Sequence, residues 1–255
     1  MSRPAPLARA TLAQSRMELR LTARRGENLL AMIGIPAAVL LIFGSTSILG
    51  EPAAGTRVDT LLPGVLALAI VATGLVNLGI ATAYERSYGV LKRLGGSPLG
   101  RTGLIGAKIL SILVVEIGLV AFLTILAAVV LGWRPPAAGI DWALLVVAVG
   151  LGTATFAGAG LALAGSLRPE GTLLVANVLF LLALGLGGIL VPVDSLPDAV
   201  GTVVRLLPTA ALTESLRIAL GSAGTDPGSA GSPVLVLGIW AAVAVTLAIR
   251  TFRWD

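Results

Sequence analysis

The chain has 255 residues, of which 56% are hydrophobic and only 12% charged, with a mean hydropathy of +0.97; soluble domains carry roughly a quarter of their residues charged, so this composition is that of an integral membrane protein. It contains no Cys and no His, which excludes disulfides, thiolate chemistry, Cys/His zinc sites and imidazole acid–base catalysis. The net charge of +5 does not point to nucleic acid, because the basic residues sit at the ends of apolar runs rather than in one patch.

Residues 1–28 form the first unit, a tail with Arg3, Arg9, Arg16, Arg20, Arg24 and Arg25 against Glu18 and Glu27. On a helical wheel Arg9, Arg16, Arg20 and Arg24 make one stripe beside Ala8, Leu12, Leu19 and Ala23. This predicts an amphipathic helix on an anionic membrane surface, its arginine stems snorkelling; a solvated basic tail is the alternative. Residues 29–255 then read as six apolar spans, 29–49, 60–83, 103–132, 142–167, 171–191 and 233–249. At 1.5 Å per residue, spans of this length cross a bilayer with tilt. With both termini cytoplasmic, fourteen of the eighteen Lys/Arg fall inside and only Arg57, Arg134, Arg205 and Arg217 outside, so the excess of inner positive charge sets the orientation. Sixteen of the basic residues are Arg, a usage that suits a GC-rich bacterial genome.

Two connections stand out. Between spans two and three, Tyr84 to Pro98 is a charged island holding Glu85, Arg86, Lys92 and Arg93 at one membrane face. Between spans five and six, residues 192–232 mix Val200, Val203, Val204, Leu206, Leu207, Leu212, Leu216 and Ile218 with Pro192, Pro197 and Pro208. Two short helices that dip into the outer leaflet and return fit this mixture, as does a folded exterior loop.

No G-x-x-x-x-G-K-[ST] exists, because the only lysines, Lys92 and Lys108, follow Leu91 and Ala107; the chain has no phosphate-binding loop of that kind. The residues for a Ser–His or a paired-Asp membrane protease are lacking too. Glu116 lies eight residues, ~12 Å, past Lys108 and so deep in span three, where it either donates a hydrogen bond to a neighbouring helix or carries a proton. Asn77 and Asn177, at similar depth on spans two and five, suggest either a polar pathway or interhelical hydrogen bonding. Gly150, Ala154 and Gly158 give span four a small-residue face for close helix packing or dimerisation, and Gly185, Gly187 and Gly188 can bend the end of span five.

Two motifs carry a resemblance. Glu85-Arg86-Ser87-Tyr88-Gly89-Val90-Leu91-Lys92-Arg93-Leu94 with Pro98 resembles an E-[KR]-x-x-G-[TV]-[LF]-x-x-L…P segment. Gly187-Gly188-Ile189-Leu190-Val191-Pro192 with Leu196-Pro197, Leu206-Leu207-Pro208-Thr209 and Glu214-Ser215-Leu216-Arg217 resembles a G-x-x-x-P-x-x-x-[LF]-P…L-x-P-x-[ST]…E-x-x-R run. Together they are similar to the permeases of the ABC-2 type exporter family, which includes daunorubicin-exporter-like membrane subunits. Ser87 departs from it where many members carry a charge, and Val90 stands where Thr is commoner.

The resemblance implies an all-α membrane fold: six transmembrane helices, an N-terminal interfacial helix, a cytoplasmic coupling helix between spans two and three, and an extracytoplasmic re-entrant hairpin between spans five and six. It implies a homodimer of permeases working with two copies of a separate P-loop ATPase, which would hold the ATP and Mg²⁺; no cofactor is expected in this chain. Glu85, Arg86, Gly89, Leu91, Lys92, Arg93 and Leu94 would contact that ATPase, or else merely fix topology. Gly188, Pro192, Pro197, Pro208, Glu214 and Arg217 would form the outer gate. Spans two and five of both copies would surround a central route. Asn77, Glu116 and Asn177 are its candidate path residues by their depth in spans two, three and five, and an apolar route with few charges suits a hydrophobic drug, natural product or lipid. An ion-coupled carrier using Glu116 and a non-transporting membrane scaffold are the competing readings.

Overall fold

The structure, a computed structural model, describes residues 6–24, 26–46, 55–96, 99–136, 139–189, 197–222 and 225–254. Pro192 and Leu196 of the expected outer gate motif, and Pro98, Arg3 and Arg25, lie outside these residues. The chain is helical, with no strand among the described residues: α1 (Leu7–Arg24), α2 (Gly26–Ser45), α3 (Arg57–Val71), a π-helical segment (Ala72–Leu78), α4 (Gly79–Ser87), α5 (Val90–Gly95), α6 (Gly100–Val130), α7 (Trp142–Ser166), α8 (Pro169–Leu186), α9 (Asp198–Val204), α10 (Pro208–Ala219) and α11 (Gly231–Thr251).

Five helical runs are long and apolar enough to cross a membrane: Arg57–Ser87, Gly100–Val130, Trp142–Ser166, Pro169–Leu186 and Gly228–Thr251. Of the first expected span, 29–49, residues 47–49 lie outside the described residues, and the rest falls largely in α2, where Leu30–Ser45 is a shorter apolar helix. The second begins with a capping box at Thr56 and Asp59 and runs unbroken through α3, the π segment and α4. Glu85 and Arg86, read from sequence as part of the charged island after span two, are therefore in the last turns of this long helix. The fifth expected span, 171–191, ends early at Leu186. Gly188 has φ +67 and is buried, so the chain turns there through a conformation that only glycine adopts cheaply, and the helix stops.

α7 is the central element. In lipid there is little hydrophobic drive between helices, so close van der Waals contact between small residues holds them together. Gly158 lies against the Ala244 and Val245 backbone of α11, Gly165 against Thr251 and Phe252, and Gly152 against Leu212 of α10 and Ile70 of α3. Gly160 meets the carbonyls of Gly74 and Leu75 in the π segment. Thus the small residues of this helix serve packing on several sides, more broadly than one Gly150–Ala154–Gly158 stripe; at Gly150 itself there is open space.

Within the long connection after α8, the described part includes a buried helix. All of α10 from Thr209 to Ala219 except Glu214 is buried, and it lies between α3, α7 and α11. Because Leu212 meets Gly152, ten residues or ~15 Å along α7 from Trp142, α10 sits well inside the end of the bundle. That end is tied further by Trp133 Nε1–H donating to Asp59 Oδ1 (2.9 Å) and the Ser222 hydroxyl donating to the Asp59 carbonyl (2.8 Å).

Candidate functional site

The end of the bundle opposite α10 carries an elbow. α4 ends at Ser87, Tyr88 stacks on Tyr84 one turn back (centroids 6.1 Å apart), and Gly89 takes φ +71, which redirects the chain into the six-residue α5. Leu91 is fully buried in a cluster with Leu78, Leu99, Leu104, Ile105 and Phe252, and Leu94 packs against that cluster. Trp254 lies over Gly95. Val90, Lys92 and Arg93 remain exposed, so α5 is seated by one leucine and presents its cations outward. Leu91 and Leu94 thus anchor the elbow on its own subunit, while Gly89, Lys92 and Arg93 shape and charge its free surface.

The other two charged members of the motif face inward. Arg86 donates through Nη2 to the Leu167 carbonyl, closing the junction between α7 and α8 onto α4. Glu85 accepts from the Lys108 ammonium of α6 at 2.7 Å, and the same ammonium lies 3.2 Å from Glu18 of α1. Gln14 holds Glu18 in place by donating to its Oε1 at 2.9 Å. Lys108 is only 1% exposed, against 12% and 17% for the two carboxylates. A small cleft beside this group is lined by Asn77, Ser111, Thr22 and the apolar Leu21, Met32 and Ile112. Removing one member of a buried ion pair leaves an uncompensated charge, at a cost of ~3–5 kcal/mol.

α1 docks on α6 through a side other than its arginine stripe. Leu7 lies against Gly103 of α6, Thr11 reaches Gly106, Ser15 is buried and Glu18 meets Lys108. These positions share one side of the helix at three- and four-residue spacing. Leu12 and the arginine stripe of Arg9, Arg16, Arg20 and Arg24 stay outside this contact and are exposed. Glu18 and Lys108 were not singled out from sequence as site residues. The available signal was an acid within a row of arginines and a lysine inside an apolar run.

The three expected path residues occupy three environments. Asn77, in the π segment, lines the cleft near Lys108 and donates to the Ala72 carbonyl at 3.4 Å. Glu116 is fully buried against α7, where Thr153 Oγ1 contacts its Oε2. Asn177 is exposed on α8 and donates to its own helix at Leu173 (2.8 Å). Within one subunit they form no continuous polar path. The Thr153 contact supports the hydrogen-bonding reading of Glu116: Glu116→Gln, which keeps that contact, is expected to retain transport to within about threefold, whereas proton carriage through this carboxyl predicts its loss. Transport assays with the proton gradient collapsed and ATP supplied separate the two.

At the opposite end, Thr213 Oγ1 lies 3.0 Å from the carbonyl of Gly187, the residue before Gly188, and Ile189 presses its carbonyl against Gly64 of α3. Pro197 and Pro208 start α9 and α10, the first as the residue before the helix and the second as its first residue. Glu214 and Arg217 face each other within α10 at 3.9 Å, the arginine nearly buried. Gly188 is thus joined through its neighbour Gly187 to α10, the packed helix that carries Pro208, Glu214 and Arg217, while Pro197 precedes α9.

No curated protein gives a sequence match to this chain. The family model described as "ABC-2 type transporter" matches residues 10–220, from within the first turn of α1 to the end of α10, and so includes the elbow and the Lys108 cluster. With most of its length matched and its helices apolar enough for repeated crossing, the chain belongs to the ABC-2 type transporter family, as a multi-pass membrane permease rather than an enzyme.

Proposed function

We propose that the chain is the membrane-spanning subunit of an ATP-driven exporter in a bacterial plasma membrane, moving a hydrophobic drug, natural product or lipid-like substrate outward. Two copies pair, and two copies of a separate P-loop ATPase, which hold the ATP and Mg²⁺, bind at the cytoplasmic face. α2 supplies a sixth crossing, both termini are cytoplasmic, and α9–α10 form the re-entrant outer gate. The observation that carries this reading is the elbow: an exposed cationic surface on a short helix, seated by Leu91 and continuous with a 31-residue helix, is suited to receiving force from a soluble partner. α8 leaves Leu174, Asn177, Leu181 and Leu182 exposed, which suits the expectation that helix five meets a second copy or the route; α3, by contrast, is almost wholly enclosed within its own subunit.

The test is affinity purification in mild detergent. A nucleotide-hydrolysing companion of equal copy number is expected, and reversing both cations (Lys92→Glu with Arg93→Glu) should lower its recovery and the transport rate by about tenfold or more while the subunit still inserts. Uphill transport by the subunit alone, without any such companion, would sink the proposal.

A further inference from the structure

We infer that Lys108 is a positioning residue for the elbow and that α1 is a strap fastened by the same ammonium. The inference deepens the coupling reading and rests on it for its transport readout only. Glu18 and Glu85 come from helices far apart in sequence, yet both point at one ammonium that is 1% exposed. Two carboxylates this close repel one another unless a cation lies between them, so Lys108 holds together groups that would otherwise separate. Because Glu85 is in the last full turn before Gly89, fixing its side chain fixes where the elbow begins. Because Glu18 is in the second half of α1, the same cation completes a docking line that Leu7 and Thr11 start on Gly103 and Gly106.

The sharing makes the three members unequal. Without Lys108 two like charges face each other, and both the strap and the elbow are released. Without Glu18 the strap loosens, and a neutral Lys108–Glu85 pair remains to aim the elbow. Without Glu85 the strap stays and the elbow drifts. A uniformly structural cluster would instead respond the same way to each loss.

The absence of cysteine from the chain allows a clean measurement. A Cβ at Gly106 would stand 3.8 Å from Thr11 Cγ2, so Thr11→Cys with Gly106→Cys is within reach of a disulfide that reports strap docking. In the purified complex, mild oxidation is expected to crosslink the parent pair. Adding Lys108→Met or Glu18→Gln should cut the yield by about tenfold or more, whereas Glu85→Gln should keep it and lower substrate moved per ATP by about fivefold or more. Should Lys108→Met fail to fold, Glu18→Gln reads the strap and Glu85→Gln the elbow. No crosslink in the parent, an unchanged yield in Glu18→Gln, or unchanged transport per ATP in Glu85→Gln would overturn the inference. If transport needs no ATP, the proposed function fails, and the crosslinking result still decides the role of the strap.

Discussion

Replacing Gly160 with leucine is expected to abolish the folded subunit. A Cβ at this position would stand 2.6 Å from the Gly74 carbonyl oxygen and 2.9 Å from that of Leu75, and both are backbone atoms that no rotamer change can move aside. Overpacking a core against side chains costs ~1–3 kcal/mol; against a facing backbone the helices themselves must separate. Separation here also breaks the fit of Gly79 on Gly160 and of Gly74 on Phe156 and Ala157, so the π segment loses the surface that holds it. Glycine tolerates the approach because its hydrogen leaves room for the carbonyls, which is how small residues hold helices together in lipid. The measurement is the fraction recovered as a monodisperse species after detergent extraction, expected to fall about tenfold or more. Gly150→Leu on the same helix, where nothing lies within 4 Å, is the control and should be recovered as the parent is. Equal recovery of both variants would mean that the two backbones are not in contact.

The sequence makes the positions of the helices readable and their faces much less so. Apolar runs long enough to cross a bilayer are a signal of length and composition, and α6, α7 and α11 fall within a few residues of where those runs place them. The end of helix five was misjudged because Leu190 and Val191 continue the apolar run, whereas the backbone answers to Gly187 and Gly188. The π segment leaves no trace in the pattern, since Ala72–Leu78 is as apolar as an α-helix would be. It depends on Gly74 and Gly79 meeting Gly160, a pairing across some eighty residues of chain that only the folded state reveals.

The site divides in the same way. A short helix between spans two and three was expected from the resemblance, whereas the turn at Gly89 that aims it shows only in the backbone, at φ +71. That Glu85 and Arg86 face inward while Lys92 and Arg93 face outward was not legible: four charges in ten residues look alike until the helix end between them is known. Lys108 was counted as a charge that sets topology, and Glu18 as a minority acid among arginines. Each meaning depends on the other, and a local window cannot join residues ninety positions apart. The docking face of α1 escaped hydrophobic analysis for a related reason: Thr11, Ser15 and Glu18 are polar, and Thr11 and Glu18 meet a glycine and a lysine rather than an apolar stripe.

Gly89→Val is expected to leave a subunit that inserts and is recovered in normal yield yet transports at no more than about a tenth of the parent rate. The residue has φ +71, and nothing lies within 4 Å of where a Cβ would stand, so the change introduces no clash and acts only through the backbone. A β-branched residue in the left-handed region costs ~1–3 kcal/mol, and the chain can relieve that strain only by changing the turn. Behind the turn, Glu85 is fixed on Lys108 and Arg86 on Leu167; ahead of it, Leu91 is held in its cluster. The relief therefore falls on the free surface of α5, tilting Val90, Lys92 and Arg93 away from any surface built to receive them. Gly96→Ala supplies the comparison within the same elbow: φ is −77 there and the nearest atom to a new Cβ is 3.5 Å away, so an alanine fits without strain and transport should match the parent. A direction set by φ separates the two glycines, whereas dependence on small side chains would impair both. Full transport by Gly89→Val would show that the aim of α5 does not matter to the work of the subunit, and the elbow would then be only a turn between two helices.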